Sequence, residues 1–297
     1  MNQNIPVAVA LAVIGSFCVA WSAKLQHGVV RHEVHANQAK QRLSIGQLMN
    51  VLRTGRWWLG VGLASVSMVT QVVGLSMAPV SVVQPIGLLA FPWSVLLAGR
   101  ALGPRKAAIV TSTAATVVVT FAFVVVMSQY AATPPGDIKL TTIALGAGVL
   151  YACTVLLALL GSSGPKQWRV LFWPCGGALL YGLEAAVVKW LLVHFETHVW
   201  WQGPLLWCTV LVLLAGNILG GVMVQHGYAV GQADVVVASW TVTSPVAAVL
   251  FGVAVLGEGR HLPALPAAIL AVLACAAIVG VATLAHLRQD GPISAVA

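Results

Sequence analysis

The stretch APVSVVQPIGLLAFPWSVLLAGRALGPRK, residues 78–106, decides how the whole chain is read. It is apolar, opened by Pro79, interrupted by Gln84, Pro85 and Pro92, and closed by the basic turn of Arg100, Arg105 and Lys106. A related stretch, GQADVVVASWTVTSPVAAVLFGVAVLGEGR, returns at residues 231–260. Ser81-Val82-Val83 falls on Asp234-Val235-Val236, and Pro92 falls on Pro245. With one residue inserted, Leu102-Gly103 falls on Leu256-Gly257. Upstream, WWLG (57–60) and WWQG (200–203) echo each other, and GLSMA (74–78) aligns with GYAVG (227–231) in the register of the prolines. The pattern predicts a duplicated chain.

Around these two stretches the composition is that of a membrane protein. Of 297 residues, 59% are hydrophobic and 7% charged, and mean hydropathy is +0.93. A soluble domain carries about 25% charged residues, so this chain lacks a polar coat for water. Its net charge of +8 sits in basic residues flanking apolar runs. That placement fits topology and anionic-lipid contact, not nucleic acid. Cys18, Cys153, Cys175, Cys208 and Cys275 all lie in apolar stretches without CxxC spacing, and read as small packing residues. The positive charges follow the first apolar run, from Lys24 onward, whereas a signal peptide carries them before it. A retained first helix is expected.

Crossing the hydrocarbon takes about 20 apolar residues. Segments 5–23, 57–77, 79–98, 106–128, 139–160, 169–193, 203–226, 232–255 and 263–286 qualify, as spans 1 to 9. Spans 2 and 3 form a hairpin at Met77-Ala78-Pro79, where proline opens a helix without losing a bonded N–H. One set of alternate loops carries Lys24, Arg31, Lys40, Arg42, Arg53, Arg56, Arg100, Arg105, Lys106, Lys166, Arg169 and Arg288, and the other only Lys139 and Arg260. The positive-inside rule then predicts an external N-terminus and a cytoplasmic tail in a cell membrane. Trp57, Trp58, Trp168 and Trp173 at inner ends, with Trp200 and Trp201 outside, suit an aromatic belt. In loop 24–56, Ile45, Leu48, Met49 and Leu52 have the spacing of a short amphipathic helix on the inner leaflet. His27, His32 and His35 surround Glu33, but HEVH is not the HExxH of zinc proteases. A solvated basic loop is expected there.

The two related stretches are spans 3 and 8, an odd offset, so the copies cross in opposite directions. Inverted repeats place a substrate path at their interface. The expected organisation is a first repeat over 1–128, an external linker at 129–138, a second repeat over 139–286 and a tail at 287–297. With no GxxxxGK[ST] and no large soluble region, such transport would run on gradients.

The chain resembles the drug/metabolite transporter superfamily, above all in SPVAAVLFGVAVLGEGRHLPALPAAILAVLACAAIVGVATL (244–284), where a proline-containing helix ends in Leu256-Gly257-Glu258. Nine spans and the AP…VVQP stretch look most like its NIPA-type putative magnesium transporters and actinobacterial permeases. The resemblance implies an all-α, EamA-like fold of nine helices in inverted repeats of four plus five, one span short of the usual ten. Pro104 stands where the second copy has Glu258, which puts any role of that acidic position in the first half in doubt.

Polar groups within spans are costly and default to functional candidates. Glu184 lies fifteen residues beyond Arg169, about 22 Å along span 6. Its expected role is a coupling acid or, weakly, a metal ligand, against a structural ion pair or a protonated buried acid. Lys189 is offset by about 140° and is expected to snorkel outward. Gln71 and Gln84, at equal depth about the hairpin, are expected in one polar layer with Glu184, or as interhelical hydrogen bonds. Asn217 accompanies a Gly216/Gly220 packing motif. Asp234 reads as the N-cap of span 8, within titrating reach of His226. Pro85, Pro92 and Pro245 are expected to kink or break spans 3 and 8. Trp93 and Trp240, away from the belts, suit stacking on an organic substrate or core packing.

These residues predict no enzyme and no cofactor. The first expectation is a gradient-driven carrier of a small metabolite, lipophilic compound or lipid precursor. The alternatives are a magnesium or divalent-cation carrier and a non-transporting scaffold for envelope enzymes. Expected partners are the bilayer and a small-molecule or cation substrate, with homodimerisation left open and no nucleic acid.

Overall fold

The computed structural model describes residues 4–36, 53–98, 106–132, 138–197, 204–230 and 233–289. Among them all regular structure is helical, and nine helices are long and apolar enough to cross a membrane. The spans are Ile5–Leu25, Gly55–Met77, Val80–Leu97, Lys106–Tyr130, Leu140–Ser163, Trp168–Phe195, Trp207–Gly227, Val235–Ala254 and Ala264–Leu287. These fall close to the expected segments, because hydrocarbon thickness and apolar run length are the same constraint.

The differences are local. The first helix does not stop near residue 23 but continues to Ala36, so His27, Glu33 and the other histidines lie on helical backbone, not in a loop. The amphipathic segment expected around 45–52 and the Trp200-Trp201 pair lie outside the described residues. Asp234 falls inside the helix Ala233–Ala254, one residue past its start, so it is not the N-cap. Pro245 does not break that helix, which runs continuously through it. Span 3 is broken as expected. A single α-turn at Val80–Val83 passes into 3₁₀ geometry over Gln84–Leu89, with Pro85 in its first turn, and returns to α-helix at Ala90–Ala98. Proline removes a backbone donor, and the tighter winding accommodates that loss. Pro92 lies in the first turn of the last segment, where it is tolerated.

Packing pairs span 1 with span 2, span 6 with spans 7 and 8, and span 4 with span 9, while span 5 rests on span 6. Span 3 is the centre, touching spans 1, 4 and 8. Of the nine spans its helix is the most buried, because lipid-facing neighbours surround it. Spans 3 and 8 run antiparallel. Val80 and Val83, at the start of span 3, share a cluster with Ala248, Phe251 and Leu256, at the end of span 8. Leu88, Phe91 and Val95, further along span 3, meet Ala238 near the start of span 8. Spans 6 and 8 approach so closely that a Cβ on Gly182 would stand 2.5 Å from the Ser244 carbonyl oxygen.

Candidate functional site

A cavity of about 350 Å³ lies between spans 1, 2 and 3 on one side and spans 6, 7 and 8 on the other. Its polar lining comes mainly from Ser16, Ser67, Gln71, Gln84, Glu184 and Asn217. Among the described residues lining it, Glu184 is the only charged side chain. Glu184 is half-buried, and the Asn217 amide Nδ2 donates to its Oε2 at 3.0 Å. Among the described residues this is the one hydrogen bond shown for the carboxylate, which can accept several. Asn217 is therefore more than a companion of packing glycines, although Gly220 does pack against the Gly177 carbonyl.

Gln71 and Gln84 both reach this cavity, as their equal depth suggested. Gln84 is only 7% exposed, and its Nε2 has no hydrogen-bond partner among the described residues. Trp240 also lines the cavity, with its ring 6.5 Å from that of Tyr181 in an edge arrangement. Trp93 does not line it. Its indole Nε1 donates to Ser16 Oγ at 3.1 Å and its ring meets the Phe17 edge, so it supports a lining residue from behind. His226 is also elsewhere. It stacks on Trp173 at 4.8 Å, with its Nδ1 2.8 Å from the Val222 carbonyl oxygen. The side chain of Asp234 lies outside what the structure describes. Pro245 borders the cavity, whereas Pro85 and Pro92 do not.

Lys189 corrects an expectation. It does not snorkel to the surface but is 2% exposed, and its Nζ donates to the Leu75 carbonyl oxygen at 2.7 Å. Span 2 ends just beyond, at Met77, so the ammonium faces the negative end of a helix. On the other side of the Ala78-Pro79 joint the polarity reverses. There Glu258, fully buried, accepts from the backbone N–H groups of Val80 at 2.7 Å and Ser81 at 2.8 Å. It caps the positive end of span 3 from the distant end of span 8.

The Leu256-Gly257-Glu258 sequence explains how. Gly257 takes φ +73°, a left-handed turn that favours glycine. The turn lets the Glu258 N–H reach the Gly252 carbonyl at 3.0 Å, while the Glu258 carbonyl accepts from Ala132 at 2.8 Å. Burial raises the Glu258 carboxyl above its ordinary range, opposed by the Ser81 and Val80 bonds and the Lys189 charge. Two opposite charges thus hold the two opposite helix ends at the hairpin. Sequence reading treated Glu258 only as the terminus of a helix. Its signal was an acid directly after a Leu-Gly turn, with a proline-opened helix in need of a cap.

No protein-family model matches the chain, and no solved structure matches it. It is similar to an uncharacterized protein of Corynebacterium glutamicum, 25% identical over 262 residues, covering 87% of each chain.

Proposed function

We propose that this chain is a secondary transporter, moving a small metabolite, lipophilic compound or lipid precursor down or against its gradient by alternating access. The observation that carries the reading is the cavity of about 350 Å³ between two groups of three spans, with one carboxylate in it. The antiparallel course of spans 3 and 8, the paired packing of spans 1 with 2 and 6 with 7, and the break at Pro85 support it. Broken helices and antiparallel halves are the materials of rocking transporters. Membership in the drug/metabolite transporter superfamily, four-plus-five inverted repeats, an external N-terminus and a cytoplasmic tail belong to the same proposal.

In this reading the charges at the hairpin close one end of the path, and Glu184 meets the substrate or the coupling ion. A divalent-cation carrier would use the same carboxylate, with the amide oxygens of Gln71 and Gln84 as its remaining ligands. The test is uptake into proteoliposomes under imposed proton and potential gradients, with candidate organic solutes and with magnesium. Glu184-dependent flux of an organic solute is expected. Glu184-dependent magnesium flux would shift the assignment to the cation carrier, and no flux of any solute under any gradient would favour the scaffold.

A further inference from the structure

The two charges at the hairpin tie together spans that are far apart in the chain. Lys189 reaches from span 6 to the Leu75 carbonyl oxygen at the end of span 2. Glu258, beyond span 8, holds the Val80 and Ser81 N–H groups at the start of span 3. Beneath them lies an apolar seal. Leu75, Val80 and Val83 from the first four spans are buried in one cluster with Ala186, Ala248 and Phe251 from the last five. Leu75 and Val83 also line the cavity, so this cluster forms its hairpin end. The opposite end of span 3 is held differently. There Lys24 of span 1 donates to the Leu97 carbonyl oxygen, a bond within the first four spans. The buried cluster further along span 3 draws, among the described residues, on spans 3, 4, 8 and 9 and on none of spans 1, 2, 6 and 7. In sequence, Pro104 stands where the related stretch has Glu258, with Arg100, Arg105 and Lys106 around it, and basic side chains cannot accept from a helix N-terminus.

We infer that the hairpin joint is a latch that sets which end of the cavity is closed: Lys189 on the end of span 2 and Glu258 on the start of span 3 hold the hairpin end shut, and that end opens when both let go. This deepens the transporter reading and rests on it for the second state. Charge makes the joint reversible. Attraction within a buried charged contact is largely offset by the cost of taking the charges out of water. Opening returns water to the carboxylate, the ammonium and the two helix ends, so what is lost in contacts is regained in hydration. One movement of the Ala78-Pro79 joint releases both ties, because the Leu75 carbonyl and the Val80 N–H flank it closely in sequence. The latch is also one-sided. With Pro104 in place of Glu258, the related stretch has no acid to close the opposite end in the same way. Removing one latch partner leaves the other charge buried and unmatched, and opening to water relieves it.

The test is double electron–electron resonance on the full chain in lipid nanodiscs, with nitroxide pairs on a background whose five cysteines are replaced by alanine. Ser76→Cys with His261→Cys reports the hairpin end, and Arg56→Cys with Gln225→Cys the opposite end; none of the four positions is buried. Glu258→Gln and Lys189→Met are each expected to add a longer distance at the hairpin end and a shorter one at the opposite end. Val80→Pro is the milder probe. Proline is favoured at the first helical position, and Pro79 before it already has the extended ψ of 151° that a residue preceding proline requires. The substitution takes one N–H from Glu258 and leaves both charges in place. It is expected to raise the open fraction about ten-fold, as fits one hydrogen bond to a charged group, and the two charge variants to raise it further. An unchanged hairpin distance in Val80→Pro and in every charge variant that folds would overturn the latch. So would broadening at the hairpin with no change at the opposite end, the mark of a joint that only holds the fold. Flux in the wild type with unmoved distances in the variants leaves the transporter standing without the latch. Reciprocal distance changes with no flux of any solute keep the latch and remove the transporter.

Discussion

Glu184 lies on span 6 and Glu258 just beyond the end of span 8, which packs on span 6, and the two acids sit in opposite surroundings. Glu258 is fully buried and its two carboxylate oxygens each hold a backbone N–H. The Lys189 charge acts on it from across the hairpin. Glu184 is only half-buried, lines a cavity, and among the described residues has one amide donor, Asn217. A buried charge is tolerated when its hydrogen-bonding capacity is met, and otherwise it is costly. By that measure Glu258 is a joint and Glu184 an unfinished contact. The difference separates an acid whose oxygens are engaged by the fold from one that borders a cavity, and each substitution below is chosen to break or sharpen it.

The largest effect is expected at the joint. Glu258→Gln turns one acceptor into an NH₂ group facing the Val80 or Ser81 N–H, and strips Lys189 of its counter-charge. Breaking a buried pair by removing one partner costs about 3–5 kcal/mol. Lys189→Met should cost a similar amount, by freeing the Leu75 carbonyl and leaving Glu258 uncompensated. The double variant should lose less than the sum, because each single change already releases the other charge. Unfolding in mixed micelles, run as a double-mutant cycle, measures this. Strict additivity would show that the two charges do not act together.

A smaller loss is expected from Gly252→Ala, in the turn of helix before the Leu-Gly-Glu sequence. The added Cβ would stand 2.7 Å from the Glu258 Oε2, closer than real contacts allow, so the carboxylate must shift on its two N–H groups. Overpacking of this kind costs about 1–3 kcal/mol. The same unfolding assay should place it between Glu258→Gln and wild type.

Glu184→Gln should change stability by less than about 1 kcal/mol, since an exchange at a half-exposed acid with one hydrogen bond is a mild substitution. Glutamine keeps an oxygen for the Asn217 donor. Uptake in proteoliposomes should nevertheless be lost, and the pairing of intact unfolding with absent flux is the signature. Destabilisation equal to that of Glu258→Gln would erase the distinction between the two acids.

How much of this was legible beforehand follows the range of each interaction. Hydropathy located the spans, because membrane thickness acts on every residue of a helix at once. Glu184 announced itself as a carboxylate far from either end of an apolar helix, and the depths of Gln71 and Gln84 followed from counting residues about Pro79. Lys189 was misjudged because distance along a helix does not say what lies beside it. Its acceptor, Leu75, is on span 2, and its counter-charge, Glu258, is beyond span 8. Those partnerships are set by packing between distant segments, which one sequence does not display. Asn217 was undervalued for the same reason, since its glycine neighbours were visible and its contact with Glu184 was not. The helix Ala233–Ala254 is continuous through Pro245, a residue that on its own favours a kink, in a region where spans 6 and 8 pack closely at Gly182.

Gln84 offers the finest discrimination, because its expected stability change is the smallest and its sign is informative. Its Nε2 is buried with no partner among the described residues, in a side chain that is 7% exposed and reaches the cavity. A buried donor left unpaired costs about 1–3 kcal/mol, and leucine of similar size removes that penalty while keeping most of the packing. Gln84→Leu is therefore expected to leave stability unchanged or raise it by up to about 1 kcal/mol, while lowering uptake. A glutamine kept for interhelical bonding behaves in the opposite way, because its loss weakens the fold and leaves a partner unsatisfied. Unfolding and flux on this one variant decide between them. A stable, inactive protein assigns Gln84 to the site with Glu184, and a destabilised, active one moves it to the joint with Glu258.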